Sequence, residues 1–424
     1  MNPLSKSKIS DIATSYAGGT PKRTVAGYYN GTIPWVKSGE INSVNIFSSE
    51  EKITDEGLRN SSAKLVEPGA ILVAMYGATA GKVGRLHIEA TTNQAVLSVR
   101  SKNSNVISND YLFWLLTFAS EELIKQCQGA AQPNLSKQLI DGYQILYPSI
   151  TEQQKIAEVL STADKKIDLI DQKIAETEKL KTGLMQKLFS EGVGVQDENG
   201  NWQPHTEFQD SPFGKIPKSW SVETLGEHTI KVGSGVTPKG GSKAYVDTGI
   251  PLIRSQNVLF GKFKLDDVAF ITEQQHEKMK GSQLETKDVL LNITGASIGR
   301  CAVLPADFEE GNVNQHVCII RMSQTITPEF CGWFLNSNLG QKQIWNLQAG
   351  GNREGLNFQQ IRSFRIPVLT IEEQCSIVDI LSTVSDKLNL LEQQKAETQQ
   401  LKKGLMQKLL TGELRVPVEE TEAA

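Results

Sequence analysis

The chain has 424 residues, 39% of them apolar and 22% charged, with a formal net charge of −4. That length exceeds the ~250–300 residues that one hydrophobic core sustains, so two or more domains are expected, and the acidic balance excludes a sequence-blind coat for nucleic acid. The opening MNPLSKSKIS has no apolar signal-peptide core, and no run approaches the ~18 apolar residues of a membrane span, which predicts a cytoplasmic protein without membrane contact.

In chain order, short segments rich in Val, Ile and aromatics at 33–36, 70–75 and 95–99 predict strands, and 109–127 predicts an amphipathic helix. Trp114 and Phe113 on that helix read as core. A long helix follows over 151–190, then a Gly-, Pro- and Asn-rich linker over 191–220. The second half repeats the order, with strands at 250–254, 289–293 and 317–321 and a helix at 328–347 whose Trp333 and Phe334 again read as core. A second long helix covers 371–412 and a flexible tail 413–424. The domains are therefore 1–150, a helical spacer 151–190, the linker, a second globular domain 221–370 and a second spacer. Polar and acidic residues at 151–154 and 370–374 suit the first turns of the two long helices.

The chain is written twice. Residues 161–188 return at 382–409 at a constant offset of 221, and about 17 of 31 positions are identical over 160–190. The globular parts keep only the order of their motifs. Ile-Pro-Trp-Val-Lys-Ser (33–38) matches Ile-Pro-Leu-Ile-Arg-Ser (250–255), Gly19-Thr-Pro-Lys22 matches Val236-Thr-Pro-Lys239, and Asn93-Gln94 matches Asn314-Gln315. Similar helices with divergent globular parts suggest different ligands presented on one frame.

Along the first long helix Ile156, Leu160, Ala163, Ile167, Ile170, Ile174, Leu184 and Leu188 share one stripe, and Ile377, Leu381, Val384, Leu388, Leu391, Leu405 and Leu409 do so in the second. Alternating steps of four and three are the coiled-coil spacing. Both stripes turn polar midway, at Thr177 and Lys181 and at Lys395, Thr398 and Lys402. That stretch pairs one helix with the other or is offered to other subunits. The fold class is α+β: two β-rich globular domains joined by two long antiparallel coiled-coil helices, with a pseudo-two-fold internal repeat.

Lys+Arg minus Asp+Glu is about +2 over 1–150 and about +1 over 221–370, while the helical parts carry the acid. Chemistry is expected in the loops. Gly18-Gly19-Thr20-Pro21-Lys22-Arg23 is a glycine turn followed by two cations, a form that brings backbone close to a phosphate and neutralises it. The loops 77–82 and 295–300 end in Lys82 and Arg300, and the amides of Asn93, Gln94, Asn314 and Gln315 are of the type that pairs bidentately with adenine. Five cysteines, Cys127, Cys301, Cys318, Cys331 and Cys375, lie without a CxxC pair or histidine cluster and read as reduced and mostly buried. The segment Gly77–Val83 is one residue short of a Walker A loop and has Val where Ser or Thr is needed; GxGxxG, GxSxG, HExxH, methyltransferase and nuclease constellations are absent. The chain reads as binding and organising without catalysing.

A divergent globular domain, a helix ending in GLMQKL (183–188), a second domain and the same ending (404–409) followed by Thr411-Gly-Glu-Leu414 resembles the specificity subunit of Type I restriction-modification systems over the whole chain. The resemblance implies two target-recognition domains, each reading one half of a bipartite site in double-stranded DNA, and helices that set the gap between the halves. It implies two methyltransferase subunits acting on adenine N6 and two restriction subunits, with S-adenosylmethionine, ATP and magnesium used by those partners and no cofactor, metal or catalytic residue in this chain. DNA contacts are expected at Thr20, Lys22, Arg23, Lys37, Ser38, Thr79, Lys82, Asn93, Gln94, Asn134 and Lys137 in the first half. In the second they are expected at Thr237, Lys239, Lys243, Arg254, Ser255, Gln256, Ser297, Arg300, Asn314, Gln315, Asn352 and Arg353. A coiled-coil scaffold with two protein- or glycan-binding domains is the alternative.

Overall fold

The computed structural model describes residues 3–42, 44–126, 134–348 and 355–417. It divides into two compact units, Met1–Gln172 with Gln393–Ala424, and Lys173–Glu392. The boundary falls inside both long helices, Ile150–Glu191 and Ile371–Leu410.

In the first unit a five-stranded sheet runs Ala13–Ala17, Val96–Ser101, Ile71–Ala74, Val83–Leu86, Asn45–Ile46, and a three-stranded sheet runs Lys52–Ile53, Tyr29–Val36, Thr91–Thr92. Ile71–Ala74 is buried along its whole length, as a central strand covered on both faces must be. The second unit repeats the plan with Thr229–Ser234, Val317–Met322, Val289–Asn292, Cys301–Val303 and with Ala269–Ile271, Ile250–Ile253, Asn312–Val313. In each three-stranded sheet the central strand has one parallel neighbour, Trp35 opposite Thr91 and Leu252 opposite Asn312.

Each globular core is closed by the start of one long helix and the end of the other. Tyr111, Leu112, Leu115 and Leu116 of the helix Asn109–Gln126 form one buried cluster with Ile156, Leu160, Met406, Leu409 and Leu410. In the second unit Phe330, Phe334 and Leu335 cluster with Leu188, Phe189, Ile377 and Leu381. The twin GLMQKL endings thus supply apolar side chains to a domain core. Phe189 stands edge-on to Phe330 and Phe334 at 5.4 and 5.5 Å. A fully buried phenylalanine of this kind contributes about 2–3 kcal/mol of burial free energy.

The first turns of the long helices do more than complement a helix dipole. Gln153 is buried; its side chain accepts from the Ser108 amide and donates to the Val106 and Pro148 carbonyls, and Gln374 does the same with Thr327, Thr325 and Leu369. Glu152 takes Arg415 at 2.7 Å and the Val416 amide at 3.0 Å, so residues 413–417, expected in a flexible tail, include a held segment. Its repeat equivalent Glu373 takes the Val193 and Gly194 amides, His205 and the Trp220 indole.

The polar breaks in the helical seams are filled within each unit. Lys402 pairs with Asp164 and Lys395 with Asp171 in the first unit, and Lys181 bonds Ser385 at 3.3 Å in the second. In the first unit the partner number falls from 171 to 164 as the lysine number rises from 395 to 402, so the helix segments run antiparallel there.

Two expectations are corrected. The second-half amphipathic stretch is two helices, Pro328–Asn336 and Asn338–Gln348, because the buried Ser337 hydroxyl bonds the Phe334 carbonyl and accepts from the Gly340 amide, closing one helix and opening the next. Trp333 is only half buried, capped by Lys181, whereas Trp114 is fully buried. Cys301, Cys318 and Cys331 are buried and free, but Cys375 is exposed; Cys127 lies outside the described residues. The linker carries two small hairpins, Val195–Gln196 with Trp202–Gln203 and Phe208–Ser211 with Gly214–Pro217. Among the described residues no helix is long and apolar enough to cross a membrane.

Candidate nucleic-acid interface

Antiparallel pairing brings the expected loops to one end of each sheet. Ala17 pairs with Leu97, Ala74 with Val96 and Val73 with Val83, so the segments 18–23, 75–82 and 93–95 leave the first sheet together. The Asn93 amide bonds the Val36 carbonyl at 3.0 Å, joining the 37–40 turn to this end, and the Leu135 amide bonds Met75 at 2.9 Å, bringing exposed Asn134 there. In the second unit Ser234 pairs with Cys318, Asn292 with Val317 and Leu291 with Cys301, and the Asn314 amide bonds Ile253 at 3.0 Å.

Glycines make these approaches possible. A Cβ on Gly18 would stand 2.2 Å from the Thr92 carbonyl oxygen, and one on Gly235 would stand 1.6 Å from that of Val313. Gly77, Gly81, Gly295 and Gly299 have φ of +85°, +83°, +70° and +85°, the left-handed region where a side chain is strained.

Within the first loop end, Thr20 donates its hydroxyl to the Gln94 side-chain carbonyl, and Thr237 repeats this with Gln315. The bond fixes each amide's orientation and leaves its NH2 as the outward donor group; that of Gln315 also meets His316 at 3.1 Å. Thr79 donates to the Ser38 carbonyl at 2.7 Å, and Asn292 to that of Ser255 at 2.8 Å. The Asn93 and Asn314 side chains accept from the amides of Ala95 and His316, as turn caps.

The cations divide into two kinds. Arg23 bonds Glu51 at 2.7 Å while its guanidinium lies 4.6 Å from the Tyr29 ring and 4.8 Å from that of Trp35, and Lys37 bonds Glu51 at 2.9 Å. The Arg23 and Lys37 bonds hold the Glu51 carboxyl below its usual range and raise both cations. Lys137 is bonded to Ser15 and Asp141, and Arg254 donates to the Asp267 carbonyl at 2.7 Å, as Gln256 does at 3.1 Å. Lys22, Lys82, Lys239, Lys243 and Arg300 have no side-chain partner among the described residues, and the Arg254 Nε is a buried donor without an acceptor there. Ser297 accepts the Arg300 amide at its carbonyl. Asn352 and Arg353 lie outside the described residues.

The Type I restriction modification DNA specificity domain matches residues 1–179 and again 217–400. The chain belongs to this family. Two members from Methanocaldococcus jannaschii are similar over nearly the full length: the Type I restriction enzyme MjaVIII specificity subunit is 27% identical over 96% of this chain and 92% of its own, and the MjaIX specificity subunit 26% over 96% and 93%. The solved Type I restriction-modification S subunit from M. genitalium shares the fold, with a TM-score of 0.58 at 16% identity over 97% of this chain and 99% of its own. A chain from a structure of the type I R-M system, described for its complex assembly and conformational transition, gives 0.61 at 16% identity over 98% and 99%.

In this specificity subunit the acidic partners of the loop cations went unseen at the level of sequence. Glu51 and Asp267 are distant in sequence from the residues they hold, and nothing in their spacing marks them as partners. Tyr29 and Tyr245, which lie 4.6 Å from Arg23 and 5.8 Å from Arg254, carried none.

Proposed function

We propose that each globular domain reads one half of an asymmetric, interrupted site in double-stranded DNA with its loop end, and that the long helices set the gap and dock two methyltransferase subunits. The reading is carried by one observation: two loop ends of the same construction present cations without side-chain partners among the described residues, Lys22 in one and its repeat equivalent Lys239 in the other, but Lys82 in the first where Arg300, with Lys243 added, stands in the second. Cations without an internal partner neutralise phosphates, and the oriented amides of Gln94 and Gln315 offer donors to base edges. Relatives named as specificity subunits of Type I restriction enzymes support it.

Docking is supported by repetition. Leu169 and Leu180 are exposed on the first long helix, and their equivalents at an offset of 221, Leu390 and Leu401, are exposed on the second. Eleven residues are close to three turns, so each helix presents its two leucines on one face. An apolar feature that occurs twice suits a partner that binds twice. The methyltransferase subunits would use S-adenosylmethionine to methylate adenine N6, and two restriction subunits would use ATP and magnesium for cleavage; this chain supplies recognition and no chemistry. Because adenine leaves the stack before methylation, the specificity subunit also holds the duplex while its partner flips the base.

The test is a map of methylated bases in the host genome with and without the gene. An interrupted adenine motif that disappears with the gene is expected. A map unchanged by deletion overturns the reading.

A further inference from the structure

We infer that Trp345 contacts DNA at the half-site read by the second globular domain, its indole laid against the duplex beside the phosphate neutralised by Arg300. This rests on the proposed reading of the chain as a DNA-selecting subunit.

Trp345 is 71% exposed on the helix Asn338–Gln348. That helix is pinned to the loop ending in Arg300: the Gln341 side-chain NH2 donates to the Gly299 carbonyl at 2.8 Å, and Ile344 lies 3.4 Å from where a Gly299 Cβ would stand. Beyond the helix the chain returns to the same place, with Gly355 bridging Thr294 and the Leu356 amide bonding Ile293 at 2.9 Å. An indole left largely in water on a helix packed against Gly299, the residue before a cation with no side-chain partner among the described residues, suits an amphipathic ligand that offers an apolar surface to the indole and a negative charge to Arg300. A deoxyribose–phosphate edge of the duplex supplies both, its sugar to the indole and its phosphate to Arg300.

A protein partner is the competing occupant, and the repeat argues against it. Features of the helical frame occur twice, as Leu169 with Leu390, Leu180 with Leu401 and Glu152 with Glu373 do. Trp345 has no such twin. The first domain has one uninterrupted helix, Asn109–Gln126, in the corresponding place, and its own tryptophans, Trp35 and Trp114, are buried. What differs between the halves of the proposed assembly is the DNA sequence.

The experiment uses the full chain assembled with its methyltransferase subunits and duplexes carrying the motif from the methylation map. Trp345→Ala is expected to weaken specific binding about tenfold, and Trp345→Phe, which keeps an aromatic face, to stay within about threefold of the parent. Mismatches in the half read by the second domain should cost Trp345→Ala less than they cost the parent, with first-half penalties unchanged. Equal affinities for parent and Trp345→Ala overturn the inference, as does loss of methyltransferase association with unaltered DNA binding. A parent complex that prefers no duplex sinks the proposed function itself, which separates the two failures.

Discussion

The Lys402 ammonium lies 4.9 Å from the centre of the Trp114 ring and is ion-paired with Asp164 in the same unit. In the other unit Lys181, its equivalent at an offset of 221, lies 5.0 Å from Trp333 but meets Ser385 where Asp164 would stand. The two Lys–Trp contacts are alike and their third members differ, so their energetics diverge. The Asp164 Oδ2 is already buried without a hydrogen-bond partner, and removing Lys402 strips the carboxylate of its ion pair and leaves only the longer-range charge of Arg85. Lys402→Ala is expected to cost about 2 kcal/mol in chemical denaturation. Lys181→Ala, which strands only a hydroxyl, should cost less than half of that.

Much of this frame was legible because it depends on periodicity and repetition. The long helices were expected at 151–190 and 371–412 and span Ile150–Glu191 and Ile371–Leu410. What periodicity does not carry is the destination of a polar side chain. Lys181 and Lys402 read as flaws in an apolar stripe, and their aromatic partners are remote in sequence. The break at Ser337 was hidden for a related reason: the apolar pattern continues through it, and only a buried hydroxyl bonded to both sides interrupts the helix. In the candidate site, glycine and cation spacing located the loop ends, whereas the pairing of Arg23 and Lys37 with Glu51 required the fold.

Acid sensitivity should centre on Glu152. Hydrogen bonds from the Arg415 guanidinium, with the Val416 amide, hold its carboxyl below the usual value of 4.5. A carboxyl depressed in the folded state contributes stability that is present above its unfolded pKa and is lost as pH falls through the folded value. Glu152→Gln is expected to cost about 1–3 kcal/mol at pH 7 and to flatten the acid limb below about pH 4.5. Urea denaturation at both pH values measures it; parallel acid limbs in parent and variant would contradict the assignment.

The exposed leucines predict partner stoichiometry. Leu169 and Leu401 belong to one unit, Leu180 and Leu390 to the other. Charging one pair, as Leu169→Glu with Leu401→Glu, is expected to reduce the number of methyltransferase subunits retained from two to one in native mass spectrometry. Charging all four should remove both. Exposed positions of this kind leave folding within about 0.5 kcal/mol of the parent, so a thermal melt serves as the control.

Loop cations and loop amides should fail differently. Lys22→Ala or Lys239→Ala is expected to lower the slope of log affinity against log salt by about 1 and to weaken all duplexes alike. Gln94→Ala should relax selectivity only in the half read by the first domain, and Gln315→Ala only in the other. A Gln94 variant that blurs both halves would mean that the amide supports the loop instead of reading a base.

The spacer prediction follows from where the units divide. Both boundaries lie within the long helices, at Gln172/Lys173 and Glu392/Gln393, and the contacts Lys402–Asp164, Lys395–Asp171 and Lys181–Ser385 each fall inside one unit. Four residues inserted at both boundaries therefore leave every one of those contacts in register. At ~1.5 Å per residue the insertion adds ~6 Å to each helix, about two base-pair steps of duplex. Methylation mapping of such a variant is expected to return both half-sites unaltered with a longer gap between them. Changed half-sites would show that the insertion disturbed the reading domains, and an unchanged gap would show that helix length is not what sets it.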